Sequence, residues 1–162
     1  MHRIKLGDIA KFIVSIAVCL IAGFIGSLAT RSSIPTWYAG LSKPAFNPPN
    51  QVFAPVWTIL YVLMGVSAFI IWRKGLKDQH IKIALIIFAG QLVLNVLWSI
   101  IFFGLRLPFL AFIEIIILWI AILFTMLSFR KISITAAMLL MPYILWVSFA
   151  AVLNFSVWRL NS

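Results

Sequence analysis

Four residues of the third apolar stretch, Gln91, Asn95, Trp98 and Phe102, recur at spacings of four, three and four. On a helix that spacing sets two amides and two aromatic rings on one face. Two other stretches repeat the theme. Trp57, Tyr61, Gly65 and Ala68 share a face, as do Pro142, Trp146, Ala150 and Asn154, with Tyr143 and Phe149 alongside. A further stretch carries Glu114 and Trp119. Aromatic walls with a few polar anchors are the chemistry of holding a small apolar molecule. Bond breaking would ask for a positioned acid, base or nucleophile. Both histidines, His2 and His80, lie outside the apolar stretches, and no nucleophile–base pair is evident. Taken singly, a Gln or Asn in such a helix is ordinarily interhelical glue. Glu114 reads equally as a carboxyl bonded to a neighbouring helix or as a functional acid. The combination on three helices is what suggests a pocket.

The elements that must position these residues are membrane spans. Of the 162 residues 64% are hydrophobic and 10% charged, far from the balance of a soluble domain. Five apolar runs, about 9–30, 51–72, 81–104, 108–129 and 133–158, each reach the length needed to cross hydrocarbon. Only helices pair every backbone group within such a run, and the runs lack the alternation of barrel strands. The fold expected is an all-α integral membrane protein, one domain over residues 1–162: a five-transmembrane-helix bundle with a structured loop between helices 1 and 2. The first run reads as a span rather than a signal peptide, because no small-residue cleavage site follows it. Pro108 opens the fourth helix and Gly104 closes the third. Pro142 should kink the fifth near its start. Trp37, Trp72 and Trp158 fall near span ends, where interfacial tryptophans sit.

The chain carries 13 basic and 3 acidic residues. Its basic residues stand in short clusters between apolar runs, which excludes a nucleic-acid face and fits the positive-inside rule. Nine fall with the N-terminus (Arg3, Lys5, Lys11), the second loop (Arg73, Lys74, Lys77, Lys82) and the fourth loop (Arg130, Lys131); four, Arg31, Lys43, Arg106 and Arg159, fall on the other side. The expected orientation has the N-terminus cytoplasmic and the C-terminus outside. Cys19 is a lone cysteine in an apolar run, expected as a small buried hydrophobe. The histidines lie far from any carboxylate or thiol cluster, so no metal site is expected. Ala22, Gly26 and Ala29, with Gly23 adjacent, offer the first helix a small-residue face for close packing, a candidate dimer contact. The loop 31–50 holds "WYAGLSKPAFNPPN", whose prolines and aromatics stiffen it over one end of the bundle.

That loop segment, followed by "APVWTILYVLMG", "QLVLNVLWSIIFFG" and "PYILWVSFAAVLNFSVWRLN", resembles the TspO/MBR family of tryptophan-rich sensory and translocator proteins, in order and spacing over about residues 31–160. The resemblance implies a five-helix membrane protein, commonly a homodimer, here of a bacterial cell membrane. It implies a cavity beneath the first loop for porphyrins such as protoporphyrin IX and haem, or for isoquinoline carboxamide and benzodiazepine drugs, with no required cofactor. Carried over by motif, the ligand-binding residues are Tyr38, Pro44 and Phe46 from the loop, Trp57 and Tyr61, Asn95 and Trp98, and Trp146, Phe149, Ala150 and Asn154. Glu114 stands where the family usually has Asp. Trp57 and Trp146 match the tryptophans of the family's proposed porphyrin photochemistry and are the catalytic candidates. Physically, a porphyrin's propionates would seek cations, and Lys43 and Arg31 are those nearest the loop. The sterol motif of animal members is incomplete: "VLNFSVWR" offers Phe155 and Ser156 where a tyrosine is expected. The function expected is a receptor or sensor binding porphyrins and related flat hydrophobic ligands, with a role in tetrapyrrole regulation or stress response and with membrane lipid as the other partner. Light-dependent porphyrin breakdown and transport of tetrapyrroles or lipids stand behind it.

Overall fold

The computed structural model describes residues 6–162. Arg3 and Lys5, counted above in the N-terminal basic cluster, lie outside the described residues. Five spans are present: α1 (Leu6–Ser33), α2 (Asn50–Trp72), α3 (Gln79–Ser99) continued by a π-helical turn (Ile100–Gly104), α4 (Pro108–Arg130), and a fifth made of α5 (Ile134–Leu139) and α6 (Met141–Leu160). Each is long and apolar enough to cross a membrane, and the described residues contain no strand. The chain is a five-helix membrane bundle.

Local chemistry explains the element ends. The Asp78 side chain accepts from the His80 N–H at 2.8 Å and caps α3. Pro108 stands in the first turn of α4, where its missing N–H leaves no carbonyl unpaired. Gly75 turns the α2–α3 connection at φ +104°. The kink expected from Pro142 is a full break: α5 stops at Leu139, and Pro142 sits in the first turn of α6. At the end of α3 the ladder slips to five-residue bonds, Leu105 N–H donating to the Ile100 carbonyl at 2.8 Å. That slip is the π turn, a feature often found at functional sites. The first loop is shorter than expected, because α1 runs to Ser33 and α2 begins at Asn50.

Helix order follows from the packing. α1 lies on α2 and α3, α3 on α4, α4 on α5 and α6, and α2 on α5, so the spans close into a ring. Small residues set the tightest approach. A Cβ placed on Gly65 would stand 2.7 Å from the Ile16 Cα, so α1 and α2 touch backbone to backbone there. Just beyond, Phe12 meets Phe69 edge-on at 5.3 Å. Towards the loop end, Gly23 lies against the Tyr61 ring, Gly26 against Ser99, and Ala29 near Gly104. This corrects the dimer contact expected at Gly26: Ala22 and Gly26 are buried inside their own bundle, because the small face is what lets α1 reach α2 and α3.

Replacing Gly65 by Ala should destabilise the bundle by about 1–3 kcal/mol, since the obstructing atom is backbone and cannot swing aside. Gly90 has nothing within 4 Å of its built Cβ, and Gly90→Ala should gain about 0.5–1 kcal/mol from helix propensity. Reversible unfolding in mixed detergent micelles reads both signs.

Candidate functional site

The centre of the bundle holds a run of buried polar side chains. Tyr61 on α2 donates its hydroxyl to Asn95 Oδ1 on α3. Asn95 Nδ2 donates to the Tyr143 hydroxyl on α6 at 3.0 Å, and that hydroxyl donates to Gln91 Oε1 at 2.8 Å. Asn95, Gln91 and Tyr143 are almost wholly buried. In hydrocarbon an unmatched amide or hydroxyl is costly, so these partners fix the register of α2, α3 and α6. A second polar tie lies nearer the loop. Trp98 Nε1 donates to Asn154 Oδ1 at 3.0 Å, and Asn154 Nδ2 donates to the Pro108 carbonyl at 2.8 Å. Gln91 Nε2 and both Glu114 carboxyl oxygens are buried without a hydrogen-bond partner among the described residues.

Above Tyr61 the helices part and leave a cavity of about 460 Å³, within the size range of small-molecule sites. Phe53, Trp57 and Tyr61 of α2 form one wall, and Trp98 with Phe102 and Phe103 of the π turn form the back. Trp146, Ala150 and Asn154 of α6 close a third side. The π turn sets adjacent Phe102 and Phe103 with their rings 4.8 Å apart; Trp98 stacks on Phe102 at 5.3 Å. The fourth side is α1, through Gly23, Phe24, Ser27 and Arg31. Phe24, Ser27 and Arg31, and Ala54 and Thr58 across from them, are exposed although they line the space. The cavity therefore opens between α1 and α2. Among the described residues, Arg31 is the single charged one in its lining.

The first loop plugs the end of the bundle more than it covers this opening. Tyr38 reaches the cavity, packs on Phe102 and Phe103, and donates to Asn47 Oδ1 at 2.9 Å; burial pushes its phenol above the ordinary value. The Ser42 backbone exchanges two hydrogen bonds with the Asn161 side chain just beyond α6, at 3.0 and 2.9 Å. Phe46 meets Phe149 at 6.3 Å.

Of the residues singled out from sequence, Tyr38, Trp57, Tyr61, Trp98, Trp146, Ala150 and Asn154 come together on the cavity wall. Lys43, Pro44, Phe46, Asn95, Glu114 and Phe149 do not line it. Lys43 folds back instead, its Nζ 3.3 Å from the Ala39 carbonyl, 3.1 Å from the Leu41 carbonyl, and 4.8 Å from the Tyr38 ring centre. Asn95 holds the frame under the cavity. Glu114 faces inward from α4 with neither the interhelical bond nor the pocket position open to it from sequence. The whole α1 wall and the Phe53, Phe102 and Phe103 rings were missed. On α1 no polar or aromatic periodicity points to the site; Phe102 was placed on the right face but not at the wall.

The family profile of TspO/MBR matches residues 15–159. The chain is 43% identical over 146 residues to "Tryptophan-rich protein TspO" of Chlorobaculum tepidum, covering 90% of this chain and 92% of that one. It is 44% identical over 156 residues to the protein of the same name from Archaeoglobus fulgidus, covering 96% and 99%. It is 38% identical over 140 residues to "Translocator protein" of Ovis aries, covering 86% and 83%.

Tyr143→Phe should leave Asn95 Nδ2 and Gln91 Oε1 without a partner and cost about 1–2 kcal/mol of bundle stability. Detergent unfolding should show that loss, with the helical circular dichroism of the folded state unchanged.

Proposed function

Because the chain belongs to the TspO/MBR family, we propose that it is a receptor- or sensor-type membrane protein whose cavity takes a flat, apolar ring system bearing an acid group. The carrying observation is the wall itself: aromatic rings on three sides, and Arg31 alone among charged residues at the open side. Rings of that kind receive a conjugated disc by offset stacking, and a guanidinium at the rim suits a carboxylate. Porphyrins, protoporphyrin IX or haem among them, have this chemistry. Neutral isoquinoline carboxamides would use the rings alone. Tetrapyrrole regulation or a stress response is the role that fits. Relatives named "Tryptophan-rich sensory protein" and "Translocator protein" support the receptor reading. The basic residues favour a cytoplasmic N-terminus; a bacterial cell membrane is the proposed location. The protein is proposed to assemble as a homodimer through a surface other than the small-residue face of α1.

Trp57 and Trp146 both stand on the wall, and that favours a second reading: light-dependent breakdown of a bound porphyrin, with these indoles as the oxidisable neighbours. A Trp57→Phe, Trp146→Phe variant would keep most of the binding but bleach protoporphyrin IX more slowly than the parent under light. An unchanged bleaching rate removes the two indoles from any such chemistry.

Tryptophan fluorescence quenching in detergent tests the binding itself. Arg31→Gln should weaken protoporphyrin IX up to about fivefold, the scale of an exposed ion pair, and leave a neutral isoquinoline carboxamide unchanged. Lys43→Gln should change neither, because its ammonium is turned to loop carbonyls. Equal losses for both ligands in the Arg31 variant would contradict the assigned role, and absence of quenching by protoporphyrin IX would contradict the porphyrin reading.

A further inference from the structure

The second and fifth spans do not close along their whole length. Of the fifth span, α2 meets chiefly the short α5 and scarcely α6. In the seam lies a second hollow of about 420 Å³, lined by Val56, Ile59, Leu60, Pro142, Leu145 and Trp146. Apart from the indole N–H, no polar side chain reaches it. Ile59 and Leu145, near the middle of their spans, are 60% and 63% exposed. A groove at that depth on the outside of a membrane bundle meets neither water nor headgroups; hydrocarbon is what covers it.

Trp146 is the one residue that lines both this groove and the cavity. Its ring is thus the wall between the two spaces. The other tryptophans with hydrogen-bonded indoles are fixed in place: Trp98 Nε1 donates to Asn154 and Trp119 Nε1 donates to Ser148 at 2.8 Å. Trp146 Nε1 is buried with no partner. Its ring is held by apolar contacts, with Phe53 at 6.1 Å, Phe149 at 5.3 Å and the neighbouring core. Such contacts hold a position without dictating one rotamer, and an unpaired donor loses nothing when it moves.

We propose that the groove between α2 and α6 is a binding site for the acyl chain of a membrane lipid, and that the Trp146 indole is the movable partition through which that chain reaches the cavity. The site is independent of which ligand the cavity takes. It makes Trp146 the residue that decides how far an alkyl substituent extends out of the cavity, and gives the cavity a second, purely apolar door on the other side of α2 from the opening beside Arg31.

The protein, reconstituted in phosphatidylcholine vesicles doped with a lipid carrying a mid-chain diazirine, is irradiated and the labelled residues are identified by mass spectrometry. Labelling of Ile59 and Leu145 should exceed several-fold that of Ile116 and Ile117, exposed positions on α4. Leu145→Trp, which fills the groove from the lipid side, should bring Ile59 down to the α4 level. Trp146→Ala should raise labelling of Ala150 on the cavity wall, and adding Leu145→Trp should abolish that rise. Trp146→Phe is read in the same way should the alanine variant not fold. Equal labelling of groove and α4 overturns the acyl site. An unchanged Ala150 signal overturns the partition. A rise that survives Leu145→Trp means the chain came in between α1 and α2, and overturns it too.

Discussion

Four side chains on three helices share one run of hydrogen bonds: Tyr61 on α2, Asn95 and Gln91 on α3, and Tyr143 on α6. In water such a run would add little to a packed core. Inside a bilayer the lipid is as apolar as leucine, so burying apolar area does not press helices together. Close packing and the need to match polar groups must do so. The run supplies the second of these and fixes three helices at one depth. It also fixes α1, because the Tyr61 ring held by Asn95 is the surface that Gly23 lies against. A Cβ at position 23 would stand 2.5 Å from the ring, so the absence of a Cβ on α1 and the hydrogen bond on α2 are two parts of one constraint.

The cavity follows from what lies on either side of this layer. Away from the loop, Gly65 brings α2 onto the backbone of α1. Towards the loop, α1 keeps small residues against α3, but bulky rings stand between α2 and α6. Phe53, Trp57 and Trp146 keep α2 and α6 apart, and the π turn adds Phe102 and Phe103 from α3. The helices therefore meet tightly at one end and diverge at the other. The Ser33 hydroxyl, donating to the Phe103 carbonyl at 2.6 Å, ties the end of α1 to the π turn. With Asn161 holding the loop at Ser42, the divergent end is bridged without being filled.

Spans and faces were legible because both depend on periodicity. Apolar length gave five crossings, and the spacing of Trp57 with Tyr61 and of Trp98 with Asn95 gave the inward directions. Periodicity gives direction around a helix but neither depth nor reach. Asn95 and Trp98 share a face, yet Trp98 meets the cavity and Asn95 lies beneath it in the polar run. Glu114 points inward as expected, but does not line the cavity. Lys43 faced a choice that no pattern encodes, between a ligand carboxylate and its own loop carbonyls, and the carbonyls are only two and four residues away. The α1 wall was hidden for a different reason. Gly23, Ser27 and their neighbours are small, and smallness reads the same whether the partner is another chain, a neighbouring helix or an open space.

The tryptophans divide the site into a stiff back and a softer front. Trp98 is tied to Asn154, and Asn154 to the carbonyl of the proline that opens α4. Turning that indole would break its bond to an amide that is itself fixed by a third helix. Trp119 is tied to Ser148, whose own hydroxyl donates to the Ile144 carbonyl at 2.8 Å, and this binds α4 to α6. Trp146 sits between these anchored regions and the α2 seam with its N–H unmatched. The α3–α4–α6 side therefore resists change with polar bonds that are costly to break in hydrocarbon, while α2 above Tyr61, which Asn95 holds, meets α6 through ring contacts, its other side-chain tie to the fifth span being the Ser67 hydroxyl donating to the Ala136 carbonyl on α5. A ligand larger than the cavity would displace the front before the back, so adaptation to shape falls to α2 and Trp146. The rings of the back, Trp98 and Phe102, keep one fixed surface on which every ligand must be placed.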